Sequence, residues 1–199
     1  MGIIGNIRKC GDYMQLQEMK KKILGMIEEL DIDSASLTGD LDIETKLNDT
    51  INQVMYELAR MKKIPDYLEM EVQAGDLVRF EDIASESGYE VYQIDRVRGV
   101  KYEFRANGTI IKVLERGTME IDYFKYPERI TEKTNGNYEF ELSEDALEVM
   151  PYGVAGDLLK TDVSTEYGRI FSDRYELMLS RLDPRYSMGM FSIEGGVSV

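Results

Sequence analysis

Histidine and tryptophan are missing from the 199 residues, and cysteine occurs once, at Cys10. Each absence removes chemistry. Without histidine, neither a Ser-His-Asp nor a Cys-His catalytic set can be assembled. One thiol among carboxylates makes a poor tetrahedral zinc site, and a lone cysteine forms no internal disulfide. An enzyme built on this chain would be confined to carboxylate, lysine or tyrosine chemistry. Apolar runs extend only a few residues, too short for a transmembrane span. The opening Met1-Gly2-Ile3-Ile4-Gly5-Asn6 has no true apolar signal region, and Asn6 stands where a myristoylation signal carries Ser or Thr.

Basic residues are in deficit. The 24 Lys and Arg against 38 Asp and Glu leave a net charge of −14. That balance opposes nucleic-acid binding by phosphate neutralisation, which needs a basic face. It permits a surface past which DNA slides without sticking, and equally serves ordinary solubility. With 43% hydrophobic and 31% charged residues the composition is globular. The length suits one domain, or a core carrying an insertion.

Two amphipathic helices are expected early. The first covers Tyr13 to Leu30, with Met14, Met19, Ile23, Met26, Ile27 and Leu30 near helical spacing. Lys20-Lys21-Lys22 interrupts it with a basic cluster, read either as a solvated helix face or as a docking patch for an acidic partner. The second has Asp42 as N-cap and a stripe of Ile43, Leu47, Ile51, Val54, Leu58 and Met61. It ends at Lys62-Lys63-Ile64-Pro65, because proline disfavours helical geometry at the residue before it.

The periodicity then becomes alternating. Leu77 to Ile83, Tyr89 to Asp95, Val100 to Ala106, Thr109 to Leu114, Thr118 to Tyr126 and Asn137 to Leu142 read as strands. Asn107-Gly108 predicts a two-residue hairpin turn, since both residues tolerate positive φ. Helical patterning returns at Ser143, with a new helix expected to begin at Pro151. Ser164 can cap a last helix with the stripe Tyr167, Phe171, Tyr175, Met178 and Leu182. The order helices, strands, helices predicts an α+β fold. About four helices, from 1–64 and 143–186, would form a core interrupted by an antiparallel, sandwich-like β domain over 65–142. An extended apolar tail, 187–199, would follow, packing on its own domain or adding a strand to a neighbour.

No catalytic, metal or cofactor motif stands out. Asp31, Asp33 and Glu44 miss the spacing of a calcium loop and its turn glycine. The glycine pairs lack the following Lys-Ser or Lys-Thr of a phosphate loop. Lys101, Tyr102 and Arg105 could offer single strands a stacking platform, but Glu103 and Glu115 cancel their charge. The 13 tyrosines and 12 methionines suit protein interfaces and core filling better.

One resemblance is carried by a constellation of segments. Leu47-Asn48-Asp49-Thr50-Ile51-Asn52 leads to Met55-Tyr56-Glu57-Leu58-Ala59-Arg60. The β block follows, then Tyr126-Pro127 and Leu142-Ser143-Glu144-Asp145. Pro151-Tyr152-Gly153-Val154-Ala155-Gly156-Asp157-Leu158-Leu159 and Arg174-Tyr175-Glu176 close it. Taken together they resemble tailed-phage head-to-tail connector or adaptor proteins, most of all the short-tailed-phage type with a large β insertion. The resemblance implies a non-enzymatic virion protein of the neck, made in the host cytoplasm. It would form a homo-oligomeric ring of about twelve copies between the portal and the tail or nozzle proteins. DNA would pass through unbound, with no cofactor and no membrane. Partner contacts are expected at Lys20, Lys21, Lys22, Tyr152, Leu159, Met190, Phe191 and Ile193. The alternatives are another virion component, such as a tail-completion or baseplate protein, and a carboxylate-dependent hydrolase.

Overall fold

The computed structural model describes residues 14–28, 41–159 and 165–182, with the backbone alone for 28, 41–45, 165 and 167. Within them the chain is a mixed α/β protein with five α-helices and two three-stranded antiparallel sheets. It divides into two compact units. One takes the described residues up to 64 together with 125–182; the other is 65–124.

The first unit holds α1 (Leu16–Glu28), α2 (Leu41–Lys62), α4 (Glu144–Leu159) and α5 (Thr165–Leu179). Leu16, Met19, Ile23 and Ile27 are the buried stripe of α1. On α2 the buried face is wider than the expected stripe, adding Asn48, Asn52, Met55 and Ala59 to Leu47, Ile51, Val54 and Leu58. Helix α2 begins at Leu41, so Asp42 lies inside it rather than capping it. Burying each large apolar side chain contributes at most about 1.5–3 kcal/mol.

Helix α4 packs against α1, α2 and α5, and is apolar almost all round. Pro151 sits within it, instead of opening a new helix as its sequence position suggested. The ring removes the N–H that would bond the Leu147 carbonyl. Burial of Leu147, Val149, Met150, Val154 and Ala155 on the surrounding helices outweighs that loss. Glycines set the approach of α5. A Cβ on Gly156 would stand 2.8 Å from Ser172 Oγ and 3.1 Å from its backbone N, and one on Gly153 would meet the Tyr175 ring at 2.8 Å.

The second unit contains β1 (Ile64–Val72, whose first residue belongs to the helical unit), β2 (Leu77–Arg79), α3 (Phe80–Ser87), β3 (Val91–Arg98), β4 (Tyr102–Arg105), β5 (Ile110–Val113) and β6 (Gly117–Lys125, whose last residue belongs to the helical unit). The sheets run β1-β6-β3 and β2-β5-β4. Val78, Ile83, Ile111 and Val113 share one buried cluster with Val72, Val97, Met119, Ile121 and Tyr123.

The strand expected over 77–83 stops at Arg79, and Phe80 opens a helix. The Asp82 carboxylate accepts the Arg79 N–H at 2.8 Å, and Gly88 closes the helix in the left-handed region at φ 78°. Strand β1 was not expected at all; it is an edge strand, where Pro65 can be tolerated. The hairpin pairs Arg105 with Ile110, so its loop has four residues, not two. Ala106, Asn107 and Gly108 all take positive φ there. Finally, 137–142 forms no strand beyond one bridge between Gln15 and Glu139. The segment 125–142 instead packs within the helical unit, which moves the second boundary from 142 to 124.

Candidate functional site

The loop 128–137 is built from self-capping turns. The Thr131 N–H donates to Thr134 Oγ1 at 2.9 Å, and the Asn137 N–H to Asn135 Oδ1 at 3.0 Å. Carbonyls at and just beyond its end cap α1. The Gly136 and Tyr138 oxygens accept the Gln17 and Leu16 N–H groups, both at 2.9 Å. These donors belong to the first helical turn and have no partner inside their helix.

Asparagine fastens the other end. Asn52 Nδ2 donates to the Ile130 carbonyl at 2.7 Å, while the Ile130 N–H donates to Asn52 Oδ1 at 2.8 Å. One carboxamide thus grips both halves of a main-chain unit. Asn48 lies one helical turn earlier on α2, is 3% exposed, and pairs neither its Nδ2 nor its Oδ1. Each unmade buried hydrogen bond costs about 1–3 kcal/mol, which makes this side chain an exception to explain.

Asn48 lines a cavity of about 480 Å³ with Asp49, Arg129, Thr131, Glu132 and Lys133. A second cavity, about 490 Å³, shares Thr131 and Lys133 with it. A third, about 400 Å³, shares Thr134, Asn135 and Asn137 with the second and ends at Lys20. The three lie side by side along the loop. Their charges balance: Asp49, Glu128 and Glu132 against Lys20, Arg129 and Lys133. At one end Arg129 pairs with Asp49 at 3.4 Å.

Of the expected contact residues, Lys20 is half-buried beside the third cavity, while Lys21 and Lys22 are exposed on α1. Tyr152 is half-buried between helices, its ring 6.4 Å from Phe171 and 5.9 Å from the Arg174 guanidinium carbon. Leu159 is buried within its own unit, where a Cβ on Gly168 would stand 3.1 Å from its Cβ. Met190, Phe191 and Ile193, with the tail 187–199, lie outside the described residues, as do Asp31, Asp33 and Ser164.

Sequence reasoning passed over a second face of α5. Ile170 is 56% exposed and Leu177 43%, seven residues apart on the same side, with Arg174 between them. Their spacing was visible, but the stronger aromatic stripe drew the assignment. It also passed over Lys62, whose buried ammonium bonds Asp145 at the start of α4. Burial pushes the Asp145 carboxyl up, but the Lys62 hydrogen bond and charge, aided by the Ala146 N–H, hold it below its usual value of 3.8. Between α5 and α2, the Tyr175 hydroxyl donates to Glu57 at 2.8 Å, and burial followed by that carboxylate raises its pKa far above the usual tyrosine range.

Among the described residues no group of three or more Asp, Glu or Cys is placed to hold a metal ion, and no helix is long and apolar enough to cross a membrane. The chain matches no protein-family model and no curated protein, so its own residues carry the functional reading.

Proposed function

We propose that this chain is a ring subunit of a tailed-phage head-to-tail connector, joining the portal to the tail and lining the passage for DNA. The observation that carries the reading is the interrupted helical unit: α1 and α2, then a whole β unit, then α4 returning to pack on them and α5 packing on α4. That is the arrangement the resemblance implies, and no catalytic chemistry is asked of it. The helical unit would hold the portal and the neighbouring copies. The β unit, its two sheets stacked as a sandwich, would receive the next tail component, and the 187–199 tail would reach an adjacent subunit.

The mechanism is passive. A closed ring of identical subunits uses a heterologous contact, in which one face meets a different face of the next copy. The exposed α5 face with Ile170 and Leu177, flanked by Tyr152, is the apolar surface suited to one side of it. The net charge of −14 repels the DNA backbone and keeps the conduit from binding its cargo.

Native mass spectrometry of the purified chain tests this. A single discrete ring stoichiometry is expected, and Leu177→Glu should lower its population at least tenfold while leaving the unfolding midpoint unchanged. A ring population that Leu177→Glu does not alter removes α5 from the interface. A set of open-ended oligomers without a preferred size contradicts ring closure.

A further inference from the structure

The two sheets end in different kinds of edge. In the β2-β5-β4 sheet the outer strands are three and four residues long. Edges that short offer little to pair with. The β1-β6-β3 sheet is bounded, among the described residues, by the nine-residue β1 and the eight-residue β3. A long edge strand presents a row of main-chain N–H and C=O groups on its open side, which is a template for another strand.

Charge selects the strand that fits. Leu68 and Met70 of β1 pack on the buried cluster, so Glu69 and Glu71 stand on the opposite face, where both are exposed. With Asp66, β1 carries three carboxylates and no base. Strand β6 extends the acidic face with Glu120 and Asp122, its alternate residues Met119 and Ile121 being buried. On β3 the sign reverses. Arg98 reaches Glu120 at 3.3 Å and Asp122 at 3.2 Å. It therefore lies on that same face, and so does Arg96 two residues before it. Asp95 is the one acid of β3. Pairing β1 with a second β1 would set carboxylates beside carboxylates, and β3 with a second β3 would bring arginines together. Like charges on paired strands are destabilising. The unlike edges complement one another.

We propose that β1 of one copy pairs with β3 of a second copy, continuing the β1-β6-β3 sheet from subunit to subunit. The contact is heterologous and leaves an unlike edge at each end of the pair, so it propagates. It stands on the β unit alone and needs neither the ring nor the α5 face.

Sedimentation velocity of full-length wild type, Glu69→Lys, Arg96→Glu and the double variant tests this. Each single reversal should weaken association about tenfold, and both reversals in one chain should restore it. Hydrogen exchange should show β1 and β3 amides gaining protection as the wild-type concentration rises. Single reversals that weaken association without rescue in the double variant overturn the pairing. Association that Leu177→Glu abolishes but neither reversal alters also overturns it, and leaves the ring contact standing. A wild type that stays monomeric at every concentration overturns it as well. Should a variant fail to fold, exchange in the wild type decides. Protection of β1 and β3 that does not change with concentration overturns the pairing.

Discussion

Two helical glycines predict opposite outcomes for the same substitution. Gly156 lies in α4 against α5, where an added Cβ would stand 2.8 Å from Ser172 Oγ, 3.1 Å from its N and 3.3 Å from its Cα. Gly25 lies in α1 with nothing within 4 Å of the same atom. Replacing glycine by alanine within a helix stabilises by about 0.8–1.0 kcal/mol through propensity. At Gly25 that gain stands alone, so Gly25→Ala should stabilise by about 1 kcal/mol. At Gly156 two of the three close atoms are backbone, so α5 must shift, and overpacking of this kind costs about 1–3 kcal/mol. The net for Gly156→Ala is a loss of up to about 2 kcal/mol once the propensity gain is subtracted. Urea unfolding followed by circular dichroism measures both, and the two variants should differ by about 1–3 kcal/mol, equal m-values confirming a shared unfolded state. If Gly156→Ala is as stable as Gly25→Ala, the close α4–α5 contact is wrong.

Two further substitutions test the helical unit. Asp145→Asn leaves the buried Lys62 ammonium without its carboxylate and should destabilise by about 1–2 kcal/mol, toward the low end because Asp145 is half-exposed and solvent screens the pair. The Asp145 carboxyl is held below 3.8, so its contribution is complete above that pH and disappears as pH falls through the lower folded value. Unfolding measured from pH 7 to pH 2.5 should therefore show the gap between wild type and Asp145→Asn closing below about pH 4. Asn52→Leu strands the Ile130 N–H and carbonyl and should lose about 2–4 kcal/mol by chemical denaturation, against the neutral or stabilising Asn48→Leu next to it. A similar response at both asparagines would contradict the difference in their pairing.

The helices were legible wherever an apolar stripe persisted, as in α1 and α2. Their ends and neighbours were not, because tertiary partners decide them. Pro151 reads as a helix start only while α4 is considered alone; packing on three other helices carries the helix through it. The run Leu77 to Ile83 alternates like a strand, yet Asp82 and Gly88 supply a start and a stop for the eight residues of α3. Segment 137–142 alternates too, but its Tyr138 carbonyl serves α1, and only one bridge, Gln15 to Glu139, forms. For the candidate site, Lys20 was visible as charge. Asn48 and Asn52 were not, because an asparagine beside an apolar stripe looks solvent-facing until the loop that covers it is known.

The central claim is a closed ring, and negative-stain electron microscopy across a concentration series, with and without the portal ring of the same virion, tests it most directly. The account predicts closed rings with a central channel, stacked on the portal when it is present. Monomers alone at every concentration, with no density added to the portal, would contradict it.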